Sequence, residues 1–543
     1  MSYCPLHGNI PTYTKPTRRH ALRLFMGAAV SAAAWAVESG SPQRKYSRMT
    51  PSATGLELVV QPTAHSSALL YPEEAALFDM IMTNRSTSPV RVLRLTGNME
   101  TPQIIASDGD GKTIGAYTDF MMRKRAGNDP EHKEPGPPSF LELGPGVRTT
   151  VPLNLWHFAG PFAPGKYSLH LEHQVSEGGP SLTSNAAPFE IVPAAINGFA
   201  SGYADIDQSG SVVAWLASGA PGQPSRLLVR LSSRKGYKIL QTGANSFGEF
   251  PAGSSVAVAQ AGTTAPSSGQ GWVLLTNGHE GTMFRHNMAN LTRTIGPVSF
   301  AADHLTAVPG FPDFGQSTVA LATGAANGRP VLAGFAAKDA QASAPWMLPL
   351  SAMPVMAAAC PQGDQRIHIV YAADDGQESK LFRLVIDPTG KVLEPEKAIR
   401  SSRNLPRALR VHANRELVPA FLYLESDRND PATVTYVRIP VQGSLKAYDP
   451  HRLSGWPTIL NAHGELAPAA ATAFDIGQDP NSSLRLAVTD TFGNLYGGAL
   501  DRGLSVLRPA KGDPVSHPHV VCLKNASNIA AFTSAGYLYF SPR

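Results

Sequence analysis

From Met353 to Ile399, apolar and β-branched residues fall into three short runs, Pro354 to Ala359, Arg366 to Ala372 and Lys380 to Ile386. Each is too short for a helix and each is closed by a turn. The turns read PQGDQ, DDGQES and DPTGK, in which Asp caps its own backbone and Gly tolerates positive φ. A polar, charged run from Lys391 to Lys397 adds a fourth, edge-like strand. The same phrase recurs over the C-terminal two-thirds of the chain. Its second strand is the easiest to follow: SVVAWLA from Ser211, GWVLLTN from Gly271, STVALAT from Ser317, RIHIVYA from Arg366, VPAFLYL from Val418, SLRLAVT from Ser483 and NIAAFTS from Asn528. A polar or Gly-rich turn and another apolar strand follow each of them. Successive second strands begin 45 to 65 residues apart.

This phrase resembles a blade of a β-propeller, in which four-stranded sheets repeat around an axis and a closed ring leaves few exposed edges. The resemblance implies seven blades over residues 198–543. A ring of six or eight blades, or a pair of β-sandwiches with similarly spaced strands, is the alternative. The last unit stops after its third strand, at GYLYFSPR, so its fourth comes from elsewhere or is absent; the segment Ile191 to Phe199 could supply it and latch the ring.

Residues 55–193 have a different texture. LELVVQP, AALFDMIMTN, PVRVLRL, SFLELGPG, RTTVPLNLW, GKYSLHLEHQV and AAPFEIV read as strands at sandwich spacing. The phrases FDMIMTNRSTSPVRV and APGKYSLHLEH are similar to bacterial immunoglobulin-like accessory modules, in which an Asn closes one strand and a Pro-Gly-x-Tyr turn opens a late one. The expected fold class is therefore all-β, an Ig-like β-sandwich followed by a seven-bladed β-propeller, with Pro193 to Asn197 between them. Met121 to Pro138 interrupts the sandwich as a long charged loop.

Composition alters this picture mainly at the N-terminus. The formal charge of +5 comes largely from Lys15, Arg18, Arg19 and Arg23 within residues 1–36, which contain no acid; without them the net charge is +1. A near-neutral chain offers no electrostatic footing for nucleic acid. Thr17-Arg18-Arg19 followed by LFMGAAVSAAAWA, ending in Ala34-Trp35-Ala36, resembles a twin-arginine signal peptide, although Ala21 stands where that family favours Phe. The resemblance implies export to the periplasm or the exterior and cleavage after Ala36; the polar Ser, Pro and basic composition that follows reads as a linker over 37–54, and the apolar run is far shorter than the roughly 20 residues a membrane anchor needs, so no membrane anchor is expected once the signal is removed. Of three cysteines, Cys4 would go with the signal. Cys360 and Cys522 fall on the first strands of different blades, too far apart for a disulfide, and are expected to be buried free thiols.

Candidate chemistry is sparse. Asp205, Asp207 and Ser209 begin like a calcium loop, but its twelfth position is Leu216 rather than Glu; either a looser calcium turn or an ordinary hairpin fits. His170 and His173 are three apart on a strand, so they face opposite sides and cannot share an ion. The sialidase Asp box, the Trp-Asp and Gly-Gly repeats of other propellers, the quinoprotein repeat, G-x-S-x-G, H-E-x-x-H and C-x-x-C are all absent. The polar outliers lie instead in loops expected at one face of the ring. Between blades these are Asp303 and His304, Arg403 and Arg407, His463 and Glu465, and Asp513, His517 and His519; within blades, Glu280, Asp374, Asp375 and Asp427. A polar ligand at the central mouth would be bound by Arg407, His463, His517 and His519, with Asp303 and His304 contributing. His517 and His519, two apart, are expected on one side. The leading function is binding or scaffolding, with a polar small molecule, a glycan or a protein as partner. A hydrolase or lyase acting on a glycan or peptide, and a metal or redox-cofactor carrier, are the alternatives.

Overall fold

The computed structural model describes residues 55–540 apart from 64–68, 96–101, 118–138, 157–160, 204–209, 236–237, 242, 262–269, 288–290, 315–316, 339–340, 364, 414–418, 430–433, 442–450, 453–457, 461–465, 469–470, 479–483, 500–503, 512 and 524–525. Every named element in it is a strand. The expected signal segment, the loop from Met121 to Pro138, the turn Asp205 to Ser209, His463 and Glu465 lie outside the described residues. Among the described residues, no helix is long and apolar enough to cross a membrane.

The N-terminal part packs three antiparallel strands, Leu56–Pro62, Leu77–Asn84 and Arg148–Asn154, against a larger sheet containing Gln103–Asp108, Gly165–Gln174 and Ala187–Ile191. Leu58, Phe78, Met80, Leu169, Leu171 and Phe189 share the core between them. Burial alternates along Gly165–Gln174, so His173 is buried with its Nε2 2.9 Å from the Leu93 carbonyl while His170, three residues back, lies on the other face. Asn84 closes its strand as its position in the sequence implies. Buried, it donates from Nδ2 to the Ser88 and Leu143 carbonyls and accepts from the Ser86 amide. Among the strands not read from the sequence, Gln103–Asp108 and Thr113–Tyr117 form a hairpin on Asp108, whose Oδ1 caps the Asp110 and Lys112 amides.

From Ala195 onward the chain builds one antiparallel sheet after another, each laid down mostly in sequence order. The innermost strands are Ala195–Tyr203, Ser255–Val258, His304–Ala307 with Pro312–Asp313, Met356–Gln362, Leu405–Ala413, Ala471–Gln478 and Val515–Leu523. Each lies against the innermost strand of the next sheet, and Val515–Leu523 lies against Ala195–Tyr203, so the sequence of sheets closes on itself in a β-propeller arrangement. The second strands are those expected. Arg366–Asp374 is buried without alternation from Ile367 to Ala373, because neighbouring sheets cover both of its faces; the outer strand Val392–Ser402 is mostly exposed. Tyr371 stacks on Phe382 at 4.9 Å within the core that spans the second to fourth of these sheets. Cys360 is a free buried thiol whose pKa is raised by burial.

The latch is not formed as expected. Ala195–Tyr203 pairs with Gly210–Ser218 as the first strand of the first sheet, and among the described residues the last sheet has three strands, ending at Leu538–Phe540. Closure comes from side chains and turns instead. Phe199 meets Phe532 edge-on at 5.1 Å, Trp215 packs on Phe532 at 5.6 Å, and the Ala194 amide donates to the Ala535 carbonyl. Ala195 to Asn197, left to the linker by the sequence reading, already belong to this strand.

The N-terminal sheets meet the first ring sheet through buried charge. Arg230 Nη1 is 2.7 Å from Glu73 Oε2 with both side chains buried, and Arg226 Nη1 is 2.8 Å from Glu74 Oε2. The Arg226 guanidinium also lies 4.9 Å above the Tyr71 ring. Backbone bonds run alongside: the Ala244 amide donates to Glu73 O and the Ala75 amide to Ala244 O. Burial pushes the Glu73 carboxyl up and the Arg230 guanidinium down, and the close contact between them opposes both shifts. Gly243 allows this approach, since a Cβ there would sit 2.8 Å from the Ala75 Cα.

Candidate functional site at the ring axis

The carboxylates of the loops are mostly engaged in local structure. Asp375 Oδ1 accepts the Gln377 and Glu378 amides, Asp427 Oδ1 accepts the Asn429 amide, and Asp303 Oδ2 accepts the Gly328 amide at 3.2 Å. Asp374 pairs with Arg428 and Asp513 with Arg508, while Glu280 accepts from the Ser299 hydroxyl. The Arg403 carbonyl accepts from Arg428 Nε. These are turn and inter-sheet contacts, and they leave few loop charges to converge on a ligand. His304 is exposed at the start of the third inner strand.

Arg407 and the two C-terminal histidines sit on inner strands, in different settings. Arg407 Nε donates to Ser426 Oγ at 2.6 Å, and its guanidinium lies 5.4 Å over the Phe474 ring. Partial burial lowers its pKa. His517 has φ 53° and its Nδ1 is 2.9 Å from Ser516 Oγ. Between Ser516 and His519 the strand register shifts, so counting by twos does not carry from His517 to His519. His517 is half-buried and His519 is 5% exposed.

His519 is the centre of a cluster that the loop argument missed. Its Nε2 is 2.7 Å from Ser201 Oγ and its Nδ1 is 3.0 Å from Asp475 Oδ2. Asp475, 1% exposed, accepts the Val520 amide on the same Oδ2 at 2.8 Å, and its Oδ1 lies 2.8 Å from Arg410 Nε in an ion pair. Phe199 closes one side, its ring meeting the imidazole at 4.6 Å and 72°. Burial drives the His519 pKa down to about 4; Asp475 opposes this, while Arg410 and His517 add to it. The imidazole is therefore neutral at physiological pH. One nitrogen donates to Asp475, and the other is left to accept from the serine hydroxyl.

Four separate inner strands supply these groups: Ala195–Tyr203 brings Ser201, Leu405–Ala413 brings Arg410, Ala471–Gln478 brings Asp475 and Val515–Leu523 brings His519. Gly202, next to Ser201, permits the close approach of the inner strands, because a Cβ there would lie 2.8 Å from the Ala259 carbonyl oxygen. A signal was present in the sequence. Asp475 is the one charge in ATAFDIGQ and Ser201 lies in GFASGY, each a polar residue inside a strand rather than in a loop. Among the described residues no group of three His, Cys, Asp or Glu is placed to hold a metal ion.

No protein-family model and no curated protein matches the chain. Solved structures similar in part include a subtype N10 neuraminidase-like protein of A/little yellow-shouldered bat/Guatemala/060/2010, at 10% identity and TM-score 0.34, over 56% of this chain and 95% of that one. Aleuria aurantia lectin in complex with Fucα1-6GlcNAc is similar at 14% identity and TM-score 0.33, over 58% and 94%. The β-propeller domain of Myceliophteria thermophila Cps50 (Swd1) is similar at 10% identity and TM-score 0.32, over 64% and 99%. Similarity at this level ties the chain to none of their activities.

Proposed function

We propose that the chain is an exported bacterial binding protein, in which an Ig-like sandwich (55–193) braces a seven-bladed propeller (198–543) whose axis takes a polar ligand rich in oxygen acceptors, the chemistry of a glycan. The observation that supports this is the meeting of Ser201, Arg410, Asp475 and His519 from four inner strands, with Ser201 half-buried and the Arg410 side chain 28% exposed. A guanidinium held in place by a buried carboxylate is preorganised to donate to a sugar or a carboxylate. Arg407 and His517 share the inner strands of Arg410 and His519, and His463, Asp303 and His304 belong to the same proposal as rim residues. Calorimetric titration of the exported protein with a panel of oligosaccharides and polar acids is expected to give binding that Arg410→Lys weakens by about 10-fold or more, since an ammonium cannot reproduce the fork. Binding that Arg410→Lys leaves intact, or silence across the panel, would overturn the placement.

Export rests on the Thr17-Arg18-Arg19 segment and the Ala34-Trp35-Ala36 end of its apolar run. The mature chain is expected to begin near Val37, as read by intact-mass analysis of the extracytoplasmic fraction. A chain retaining Met1 there would refute cleavage. A metal-carrying role is supported only by Asp205, Asp207 and Ser209 and by the export route; stoichiometric calcium or a redox metal in the purified protein would raise it.

A further inference from the structure

We propose that Ser201, His519 and Asp475 form a nucleophile, base and orienting acid that hydrolyse small acyl esters, so that the axial site cleaves its ligand as well as holding it. This rests on the same cluster as the binding proposal and adds a covalent step to it. The two contacts, Ser201 Oγ to His519 Nε2 at 2.7 Å and His519 Nδ1 to Asp475 Oδ2 at 3.0 Å, are the pair that activates a serine hydroxyl. Asp475 is itself held, by the Val520 amide on one oxygen and Arg410 on the other. The imidazole plane is set by that carboxylate and by the edge contact with Phe199.

The chemistry balances with water as the second substrate. Ser201 Oγ attacks the ester carbonyl carbon as its proton passes to His519 Nε2. The tetrahedral intermediate collapses, the carbon–oxygen bond to the leaving alcohol breaks, and that oxygen takes the proton from His519. Water then attacks the acyl-serine, giving a proton to His519 Nε2. The carboxylic acid leaves, and the proton returns to Ser201. Asp475 is a positioning residue that holds the tautomer and steadies the imidazolium. The enclosed setting of His519 favours a small acyl group, and the acceptor-rich ligand proposed above makes an O-acetylated sugar the matching class.

A fluorophosphonate probe and p-nitrophenyl acetate test this on the exported full-length protein. The expected result is one adduct per chain, mapped by peptide mass to Ser201, and ester turnover that Ser201→Ala abolishes. Asp475→Asn and His519→Gln should slow labelling by about 100-fold or more, and labelling of the wild type should hold from pH 8 to 5 and fall as the pH approaches about 4, where His519 takes its proton. An unlabelled Ser201 in the folded wild type, or labelling that stays undiminished as the pH falls from 5 to 4, would overturn the proposal even if the other variants fail to fold. Oligosaccharide titration of Ser201→Ala separates the two readings. Ester turnover without ligand binding removes the binding proposal alone, and Arg410-dependent binding with Ser201 inert removes only the catalytic one.

Discussion

Arg230→Met is expected to destabilise the folded chain by about 3 to 5 kcal/mol, read as a fall in the midpoint of urea unfolding. Arg230 is fully buried and Glu73 is 5% exposed, so the substitution leaves a carboxylate in a dry interface with no cation to meet it. Protonation of Glu73, already favoured by burial, recovers part of the loss. The pair should therefore behave as a unit. Arg230→Met combined with Glu73→Leu is expected to be much less destabilised than the single variant, because matched apolar groups can replace a buried ion pair at little net cost. The same variants test how far the N-terminal sheets and the ring depend on each other. Glu73 and Glu74 come from the first part and Arg230 and Arg226 from the second, so a fragment spanning 198–543 would expose two arginines built to be covered. Equal midpoints for wild type and Arg230→Met would show that this junction contributes nothing to folding.

Acid should weaken the protein as the pH falls below about 6.5. His519 and His368 are buried, and both have their pKa pushed down to about 4, His519 by burial with Arg410 and His517 adding, His368 by burial with Arg383 and Arg366 adding. His173 and His517 are shifted the same way by burial. A histidine whose folded pKa lies below its unfolded value of about 6.5 is held neutral by the fold. Its contribution is complete above about pH 6.5 and is lost as the pH falls from there towards about 4. A shift from about 6.5 to about 4 corresponds to about 3 kcal/mol for each of His519 and His368. Urea midpoints are thus expected to fall steadily between pH 7 and pH 4.5, and His368→Gln should flatten the slope by roughly half of the two-histidine effect. A wild-type midpoint unchanged across that range would rule out the neutral, buried assignment.

The repeat was legible because it rests on local physics. A strand covered on both faces must be apolar at consecutive positions, and the strands Thr318–Ala326 and Arg366–Asp374 are buried without a break from Thr318 to Thr323 and from Ile367 to Ala373. The turns between strands were legible for the same reason: Asp375, Asp387 and Asp490 cap amides two to four residues ahead of themselves. The latch was misjudged because a local hairpin from Ala195–Tyr203 to Gly210–Ser218 closes a short loop, whereas pairing with the last sheet would close one of more than three hundred residues.

By itself, then, the sequence determined the second strands of the ring sheets and the polar character of the turns, since each of these depends on residues within a few positions of one another. It also carried the opposed faces of His170 and His173, which follow from a period of two. Only the tertiary structure decided the site. Ser201 and His519 are 318 residues apart, and Arg410 and Asp475 lie on two further strands between them. Nothing in local spacing brings a serine, a histidine, a carboxylate and a guanidinium together across four sheets. Closing the ring does so, because it sets the inner strands side by side around one axis, where a buried polar group can be satisfied only by another strand's polar group.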